Sequence, residues 1–422
     1  MNHRIQFVLP SLLFLQIPLR LQSFANVSHH VPITRSLFLG QTAPLMLFSE
    51  QSTAIAHEYS LQDPIRLLDS VYGPVQSPNF PLPMPCNEAG LCADGKQRRY
   101  LWTDAFAVLA YLSIADRYTK EGNSILAQEY TQASNTLINV VHECLGKPRS
   151  NKISDAMSLD PSSPTGYVGL RIGKVLTRKE TDFGMAYDGM YFHYLDKWLL
   201  ALTRAGRIED GIRIAKSSFP YFFDDGAHTK GGIRWKLSVN GSTPPGRNYA
   251  TANDDTLVAF ITFSLLEAHR SSHSDDKGPN LVAEIDQLKL SLAGYHPNVS
   301  DDPLGWGLEV LYDQFLKGQP RWPPLAKLQS TVLDPYHLAL PFRLYGALMG
   351  ARIGGRNVAP TEKVNQLIEL SLTHEKEVME SAGIGKSVEE HSSINRVMLA
   401  TSLLSPGSLG RQPGDPILKF SE

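Results

Sequence analysis

Six stretches of this chain are apolar nearly all the way round a helix, and this feature restricts the possible folds more than any other. Two examples are AFAVLAYLSIADRY and TLVAFITFSLLEA, and the six stretches begin near Ala105, Gly189, Thr256, Gly305, Tyr336 and Ile394. A helix without a polar face has to be surrounded by protein. The sequence therefore predicts a large interior that is built from helices.

A second set of helical stretches has apolar residues at positions i, i+3 and i+4, and so presents one face to water. These stretches cover residues 61–71, 125–144, 208–219, 281–292, 325–332 and 364–378. Because the two sets alternate along the chain, they predict six helical hairpins arranged in a ring with the apolar helices inside. We expect an all-α fold, an (α/α)6 toroid over residues 61–405, followed by a C-terminal tail over 406–422.

The connections between the predicted helices differ strongly in length. Connections from an inner to an outer helix are short, such as TKEGN, whereas those that return to an inner helix are long. Loops longer than about 15 residues inside a compact domain usually carry function. One of them, GGIRWKLSVNG, alternates apolar and polar residues and ends in Asn-Gly, which predicts a short β-hairpin over one pole of the ring.

Each long connection delivers acids, histidines or aromatic residues to the first turn of an inner helix. Acids at such positions also cap helices and stabilise them by about 0.3–1 kcal/mol. Capping does not require the tryptophans and histidines that accompany them, so we predict a site at this pole. The catalytic candidates are Asp104, Asp188, Asp254 and Asp255, and the substrate-binding candidates are Trp102, His193, Trp235, Lys236, Arg247, Trp306, His337, Glu390 and His391.

The N-terminus has the pattern of a secretory signal. Arg4 precedes the apolar stretch FVLPSLLFLQIPL and the small residues of SFA, which predicts a signal peptide over residues 1–25. An irregular arm over residues 26–60 follows. Three Asn-x-Ser sequons suit a secreted glycoprotein, and they begin at Asn26, Asn240 and Asn298. Without a cleaved signal the chain would be cytoplasmic.

Cysteine content and charge limit the partners of the chain. Three cysteines are too few for a disulfide framework, and in an oxidising compartment Cys86 and Cys92 could pair and leave Cys144 free. With 40 basic and 42 acidic residues and no basic run, we expect no nucleic-acid partner. The apolar N-terminal stretch is too short for a stable membrane span. No zinc-like spacing of Cys and His is present, so we expect no metal and no cofactor.

Two stretches resemble the six-hairpin glycosidase superfamily, whose fold is an (α/α)6 barrel. They are RYLWTDAF and YDGMYFHYLDKW, and the resemblance covers about residues 60–405. Within LWTDAF, the residues Trp102, Thr103 and Phe106 are similar to the Trp-Thr-x-x-Phe motif of unsaturated glucuronyl hydrolases. The resemblance implies a catalytic acid nearby, for which Asp104 and Asp188 are the positions. RWKLS and DDTLVAFITF are similar to uncharacterised barrel proteins.

Four hypotheses of function follow from these residues. The first is a glycoside hydrolase that acts on a small or oligosaccharide substrate with a pair of carboxyl groups. The second is a sugar epimerase or isomerase that uses His193, His337 and His391. The third is a non-catalytic barrel protein that serves a biosynthetic pathway. The fourth is a terpene-cyclase-like barrel, because the stretch ANDDT is similar to the acid motif of those enzymes.

Overall fold

Helices carry this fold, as the alternation of apolar and amphipathic stretches predicts. The computed structural model describes residues 58–147, 169–175, 188–225, 231–238, 241, 253–273, 278–294, 300–317, 325, 333–381 and 391–419. Within these ranges the helices are α1 (Gln62–Tyr72), α2 (Leu101–Lys120), α3 (Ser124–Leu145), α4 (Phe192–Arg204), α5 (Ile208–Phe222), α6 (Asn253–His273), α7 (Val282–Ser291), α8 (Pro303–Asp313), α9 (Phe342–Gly354), α10 (Thr361–Ser381) and α11 (Ser392–Leu404). The predicted all-α class is confirmed.

Several predictions concern residues outside these ranges. They are the signal peptide, the arm up to residue 57, the sequons at Asn26, Asn240 and Asn298, and the candidates Arg247 and Glu390. Of the predicted outer helix over 325–332, only Leu325 is described.

Burial separates the helices into the two kinds that the sequence predicts. Every residue of α2 from Leu101 to Tyr111 is buried, and so is every residue of α4 from Leu195 to Thr203. By contrast, α3 buries residues at helical spacing, including Tyr130, Leu137 and Val141, and exposes the rest. An apolar helix that is buried on all sides and an amphipathic partner together form one hairpin, as α2 and α3 do.

The buried helices pack on one another in a continuous order. α6 packs on α4, α4 on α2, α2 on α11, α11 on α9, and α9 on α8. The amphipathic helices lie beside their hairpin partners, with α5 on α4 and α7 on α6, while α1 packs on α11. Polar side chains on α2, α4, α6 and α8 therefore share one interior.

The contact between α8 and α9 is a close approach of two backbones. A Cβ atom on Gly307 would lie 2.1 Å from the carbonyl oxygen of Gly346, and one on Gly350 would lie 2.6 Å from the Cα of Gly307. Both distances are far below van der Waals contact. These glycines therefore set the position of α8, and with it the position of every α8 side chain that reaches the interior.

The segment over residues 231–238 does not form the single strand that its alternation predicts. Gly232–Ile233 (β3) pairs antiparallel with Phe223–Asp224 (β2), whereas Lys236–Leu237 (β4) pairs antiparallel with Met190–Tyr191 (β1). The predicted β-hairpin is therefore wrong for these residues. The first half of the segment lies beside the strand that follows α5, and the second half lies beside the strand that precedes α4. Each half therefore pairs with a different neighbour.

The cysteine pairing also differs from the prediction. Cys92 forms a disulfide with Cys144, and Cys86 is free and exposed. The prediction paired the two cysteines that are nearest in sequence. The fold instead brings the loop before α2 against the last turn of α3, with a Cα–Cα distance of 5.2 Å between Cys92 and Cys144.

Helix α9 begins at Phe342, later than the predicted start at Tyr336. The residues before it form turns in which the Asp334 carboxylate accepts a hydrogen bond from the Tyr336 backbone N–H at 2.9 Å. Pro341 explains the late start, because a proline disfavours helical backbone at the preceding residue. The apolar spacing that predicted a helix start at Tyr336 carries no information about this effect of proline on the backbone.

The predicted C-terminal tail is docked on the helices along its described part. The Asp415 carboxylate accepts hydrogen bonds from both Nη atoms of Arg204 at 2.8 Å, and from the Gln412 backbone N–H at 2.7 Å. His269 Nε2 lies 2.9 Å from the same carboxylate. We call Arg204, His269, Gln412 and Asp415 the C-terminal latch. It fastens the tail to the C-terminal end of α4 and to the second half of α6.

A bilayer-spanning helix would need to be both long and strongly apolar. Among the described residues, no helix meets both conditions.

Candidate functional site

Asp104, a leading catalytic candidate, lies in a closed network between α1 and α2. Its carboxylate accepts hydrogen bonds from the Tyr72 hydroxyl at 2.9 Å and from the Tyr100 backbone N–H at 3.2 Å, and Arg99 Nη1 lies 3.6 Å away. Burial raises the pKa of Asp104 to about 6, although Arg99 opposes the rise. The partners of Asp104 hold two helices together, which is a structural use of an acid.

Asp188, the other leading candidate, anchors the segment over residues 169–175. Its carboxylate accepts hydrogen bonds from the backbone N–H groups of Gly173 at 2.8 Å and Lys174 at 3.0 Å, and from Arg171 Nη1 at 3.0 Å. The side chain is completely buried. A carboxylate with this many donors holds its surroundings in place and has little capacity left for a substrate.

A third group of acids lies deeper in the interior. We define the interior acid cluster as Asp196 and Lys197 of α4, Asp255 of α6, Trp102 of α2 and Tyr312 of α8. Both carboxylate oxygens of Asp196 accept hydrogen bonds from Lys197 Nζ, at 2.8 and 2.9 Å. Burial raises the pKa of Asp196 to about 6, because the effect of Lys197 only partly offsets the loss of water.

Asp255 differs from the other buried acids because its carboxyl group has no hydrogen bond within the described part of the chain. The residue is 9% exposed. Burial raises its pKa to about 8, and the negative charge of Asp196 adds to the rise. Asp255 therefore keeps its proton at neutral pH, while Asp196 is ionised.

Two hydrogen-bond donors in the same cluster have no partner among the described residues. They are the indole N–H of Trp102 and the hydroxyl of Tyr312, and both atoms are buried. Leaving such a group unpaired costs about 1–3 kcal/mol. A buried donor without a protein partner is expected where a ligand or an ordered water supplies the acceptor. Here two such donors belong to the same cluster as two carboxyl groups.

An aromatic wall continues from the cluster toward the strands. The centroid of Trp102 lies 6.2 Å from that of His193, His193 lies 5.6 Å from Tyr191, and Tyr191 lies 5.6 Å from Trp235. Lys236 is buried with its Nζ 4.7 Å from the centre of the Tyr191 ring, and burial lowers its pKa to about 8. Four predicted substrate-binding residues are thus brought together here: Trp102, His193, Trp235 and Lys236.

His193 is a neutral member of this wall. Burial lowers its pKa to about 3, and the nearby Lys197 ammonium lowers it further. A histidine with so low a pKa does not gain a proton near neutral pH. The predicted role of His193 in acid–base chemistry thus has no electrostatic support, whereas a stacking role fits its ring contacts.

The remaining described candidates lie in other environments. Asp254 is exposed in the first turn of α6, and Trp306 is completely buried in α8. His337 is 71% exposed and its Nδ1 lies 2.8 Å from the Asp334 carboxylate. His391 precedes α11 with a positive φ of 75°.

The prediction missed Asp196, Lys197 and Tyr312 as site residues. It looked for acids in the first turns of inner helices, and these three residues lie further along α4 and α8. One signal was present: the ionisable pair Asp-Lys stands inside the apolar run YLDKWLL, where a polar side chain has to be buried.

A separate groove of about 1100 Å³ runs along α5 and contains none of the cluster residues. Its lining is cationic in part, but three of its cations are paired with neighbouring acids. The ion pairs are Arg207 with Asp210, Lys216 with Glu284, and Arg270 with Glu267. The groove lacks the under-bonded acids of the interior, and we do not assign the chemistry to it.

Comparison with protein-family models, curated proteins and solved structures finds no match to this chain. Among the described residues, no group of three or more His, Cys, Asp or Glu side chains is arranged to hold a metal ion.

Proposed function

We propose that this protein is a glycoside hydrolase whose acid and base are Asp255 and Asp196. The observation that carries the proposal is the contrast within the cluster: Asp255 is buried without a hydrogen bond, and Asp196 is held as an anion by Lys197. Two carboxyl groups whose environments separate their pKa values to about 8 and about 6 suit an acid and a base at neutral pH.

In this reaction protonated Asp255 donates its proton to the glycosidic oxygen as the bond from that oxygen to the anomeric carbon breaks. Ionised Asp196 accepts a proton from the incoming water or stabilises the positive charge that develops on the sugar. Hydrolysis adds one water across the bond, and the acid and base recover their starting protonation states after each turnover.

The aromatic wall suits a ligand with flat faces and many hydroxyl groups. The rings of Trp102 and Trp235 belong to this wall, and an aromatic ring is the kind of surface on which a sugar ring stacks. The unpaired N–H of Trp102 and O–H of Tyr312 supply donors for sugar oxygens. We therefore propose a small saccharide or an oligosaccharide as the substrate.

We propose the (α/α)6 ring as the frame of the site. The continuous order of inner helices from α6 through α4, α2, α11 and α9 to α8 supports it. The ends of that order are α6 and α8, and the electrostatic effect of Asp255 of α6 on Tyr312 of α8 supports its closure. Lys197 of the neighbouring α4 also lies 4.9 Å from the ring centre of Tyr312.

We also infer that the chain folds in an oxidising compartment. The Cys92–Cys144 disulfide supports this inference, because such bonds persist outside the reducing cytosol. The predicted signal peptide is consistent with this route.

The test compares two leaving groups on the wild type and on Asp255→Asn. A panel of methyl glycosides and dinitrophenyl glycosides of common hexoses, pentoses and hexuronic acids provides the probes. We expect Asp255→Asn to lose about 100- to 10,000-fold in kcat on methyl glycosides. It should keep most of its activity on dinitrophenyl glycosides, because a dinitrophenolate departs without a proton.

Asp196→Asn should lose activity on both kinds of glycoside, and Asp286→Asn on the surface of α7 is the control that should lose neither. Equal losses by Asp255→Asn on the two leaving groups would exclude its role as an acid. If the wild type turns over no glycoside of the panel, the hydrolase proposal fails and the non-catalytic hypothesis is favoured.

A further inference from the structure

Lys197 connects more of the interior acid cluster than any other described member. Its ammonium group donates to both carboxylate oxygens of Asp196 on α4. The same nitrogen lies 4.9 Å from the ring centre of Tyr312 on α8 and 5.8 Å from that of Trp102 on α2. One side chain that is 4% exposed therefore joins groups from three helices.

The pairing of Lys197 with Asp196 is not what the helix itself favours. Neighbouring residues of an α-helix point about 100° apart and do not face each other. The long stem of Lys197 has to bend toward Asp196 for the two charges to meet. The two rings lie where they attract the ammonium group through their faces. We infer that Trp102 and Tyr312 hold the lysine in this bent position.

The titratable groups around Lys197 come from α4, α6 and α8. His193 and Asp196 lie on the same helix, Asp254 and Asp255 come from α6, and Tyr312 comes from α8. Lys197 lowers the pKa of Asp196 and of Asp255, and it also lowers the pKa of His193. From α2 the facing ring is that of Trp102, which does not titrate.

We propose that Lys197 is the positioning residue of this site, which fixes the orientation and the negative charge of the Asp196 carboxylate while the proton of the pair stays on Asp255. The inference rests on the proposed function for its role in turnover. The effect of Lys197 on the carboxyl groups of Asp196 and Asp255 does not depend on that function.

The decisive experiment is the pH profile of kcat/KM for Lys197→Met, measured on the best glycoside of the panel. The acidic limb reports Asp196 and the alkaline limb reports Asp255. Without the ammonium group both limbs should move to higher pH, and the acidic limb should move by about one pH unit or more because Lys197 bonds Asp196 directly. We expect kcat to fall about 10- to 100-fold, with KM changed far less.

Lys216→Met is the matched control, because Lys216 is an ion-paired lysine on the surface of α5. Its profile should coincide with that of the wild type. If Lys197→Met lowers the rate and the melting temperature but leaves both limbs in place, Lys197 has only a structural role and the inference is wrong.

Lys197→Met leaves the buried Asp196 carboxylate without its counter-ion, which opposes folding. A second variant therefore controls for the loss of stability. The double variant Asp196→Asn with Lys197→Met removes both charges, so it should be more stable than Lys197→Met alone and should still be inactive. A double variant with wild-type activity would overturn the proposal.

The inference can be tested even if the chain hydrolyses no glycoside. Carbon-13 NMR of labelled aspartate follows the ionisation of Asp196 and Asp255 directly in the wild type and in Lys197→Met. A higher titration midpoint for Asp196 in the variant supports the positioning role when the hydrolase proposal has failed. An unchanged midpoint overturns the positioning role whatever the activity.

Discussion

The interior acid cluster and the C-terminal latch are both built on α4, and they use a buried aspartate in opposite ways. Lys197 and Arg204 stand on the same helix, about two turns apart. In the latch, Asp415 accepts from Arg204 and Gln412, and these donors keep its pKa below the usual value. In the cluster, Asp255 has no hydrogen bond among the described residues, and its pKa rises to about 8. Both residues are buried, so the difference lies in their neighbours: Asp415 has donors and the cation of Arg204, whereas Asp255 has the negative charge of Asp196 beside it and no donor among the described residues.

This comparison gives a physical criterion for sorting the acids of the chain. A carboxylate that is bonded to a cation and to several other donors serves to fix the fold. A carboxyl group that lacks donors keeps its proton and can give it away. By this criterion Asp188 belongs with Asp415, and Asp255 stands apart. The four predictions that follow would break or sharpen this division.

The largest effect should come from the latch. Asp415→Asn leaves the buried guanidinium of Arg204 without a counter-ion, and we expect a loss of about 3–5 kcal/mol in the free energy of unfolding at pH 7. Because the pKa of Asp415 is lowered from 3.8 in the folded state, its stabilisation is present above that pH and is lost as the pH falls below it. Urea unfolding at several pH values measures both. A loss that does not depend on pH would contradict the assignment.

A smaller loss should follow from Asp188→Asn. The amide keeps one acceptor for Gly173 and Lys174 but cannot balance the charge of Arg171, so we expect a cost of about 2–3 kcal/mol. Chemical denaturation checks the size, with Asp286→Asn as the surface control. Activity on glycosides should survive in the folded fraction, and its complete loss would return Asp188 to the list of catalytic acids.

Asp255→Asn should have the opposite sign and stabilise the protein. Above pH 3.8 the unfolded chain ionises this acid, while the folded chain keeps the proton until about pH 8, so the wild type loses stability as the pH rises between these values. The variant should gain about 1–3 kcal/mol at pH 7 and nothing below pH 4. Melting temperatures across this pH range measure the gain. A destabilised variant at pH 7 would show that Asp255 has structural partners.

The smallest effect should come from Tyr312→Phe. Its hydroxyl is buried and has no partner among the described residues, so its removal relieves an unpaired polar group and should raise the free energy of unfolding by about 1 kcal/mol. If that hydroxyl binds the substrate, kcat/KM should still fall about tenfold. Unfolding and kinetics on the same preparation separate the two. A large loss of stability would mean that the hydroxyl is bonded in the folded protein.

The sequence predicted the kinds of helix well, because hydrophobic periodicity is a local property of the chain. The buried run from Leu195 to Thr203 and the single-faced α3 are both legible as patterns. The Cys92–Cys144 pairing and the division of residues 231–238 between two sheets were not predicted. Both depend on which distant segments meet, and no local pattern contains that.

The candidate site shows the same division between local and distant information. Sequence spacing marked Asp255 and Trp102 as candidates at helix starts, and the structure places both in the interior acid cluster. The sequence pattern favoured Asp104 and Asp188 over Asp255 as catalytic acids. The position of an acid in a helix does not reveal how many hydrogen-bond donors will surround its carboxylate. The neighbours Asp196 and Lys197 were passed over, since their importance depends on Tyr312, which arrives from a helix more than a hundred residues away.

The glycine contact between α8 and α9 limits how this protein could be redesigned. Gly307, Gly346 and Gly350 leave no space for even a methyl group at the crossing, so the wall that carries Tyr312 cannot be moved outward or thickened by substitution there. Room for a bulkier compound beside Tyr312 would have to come from α2 or α6, whose nearby groups are the side chains of Trp102 and Asp255.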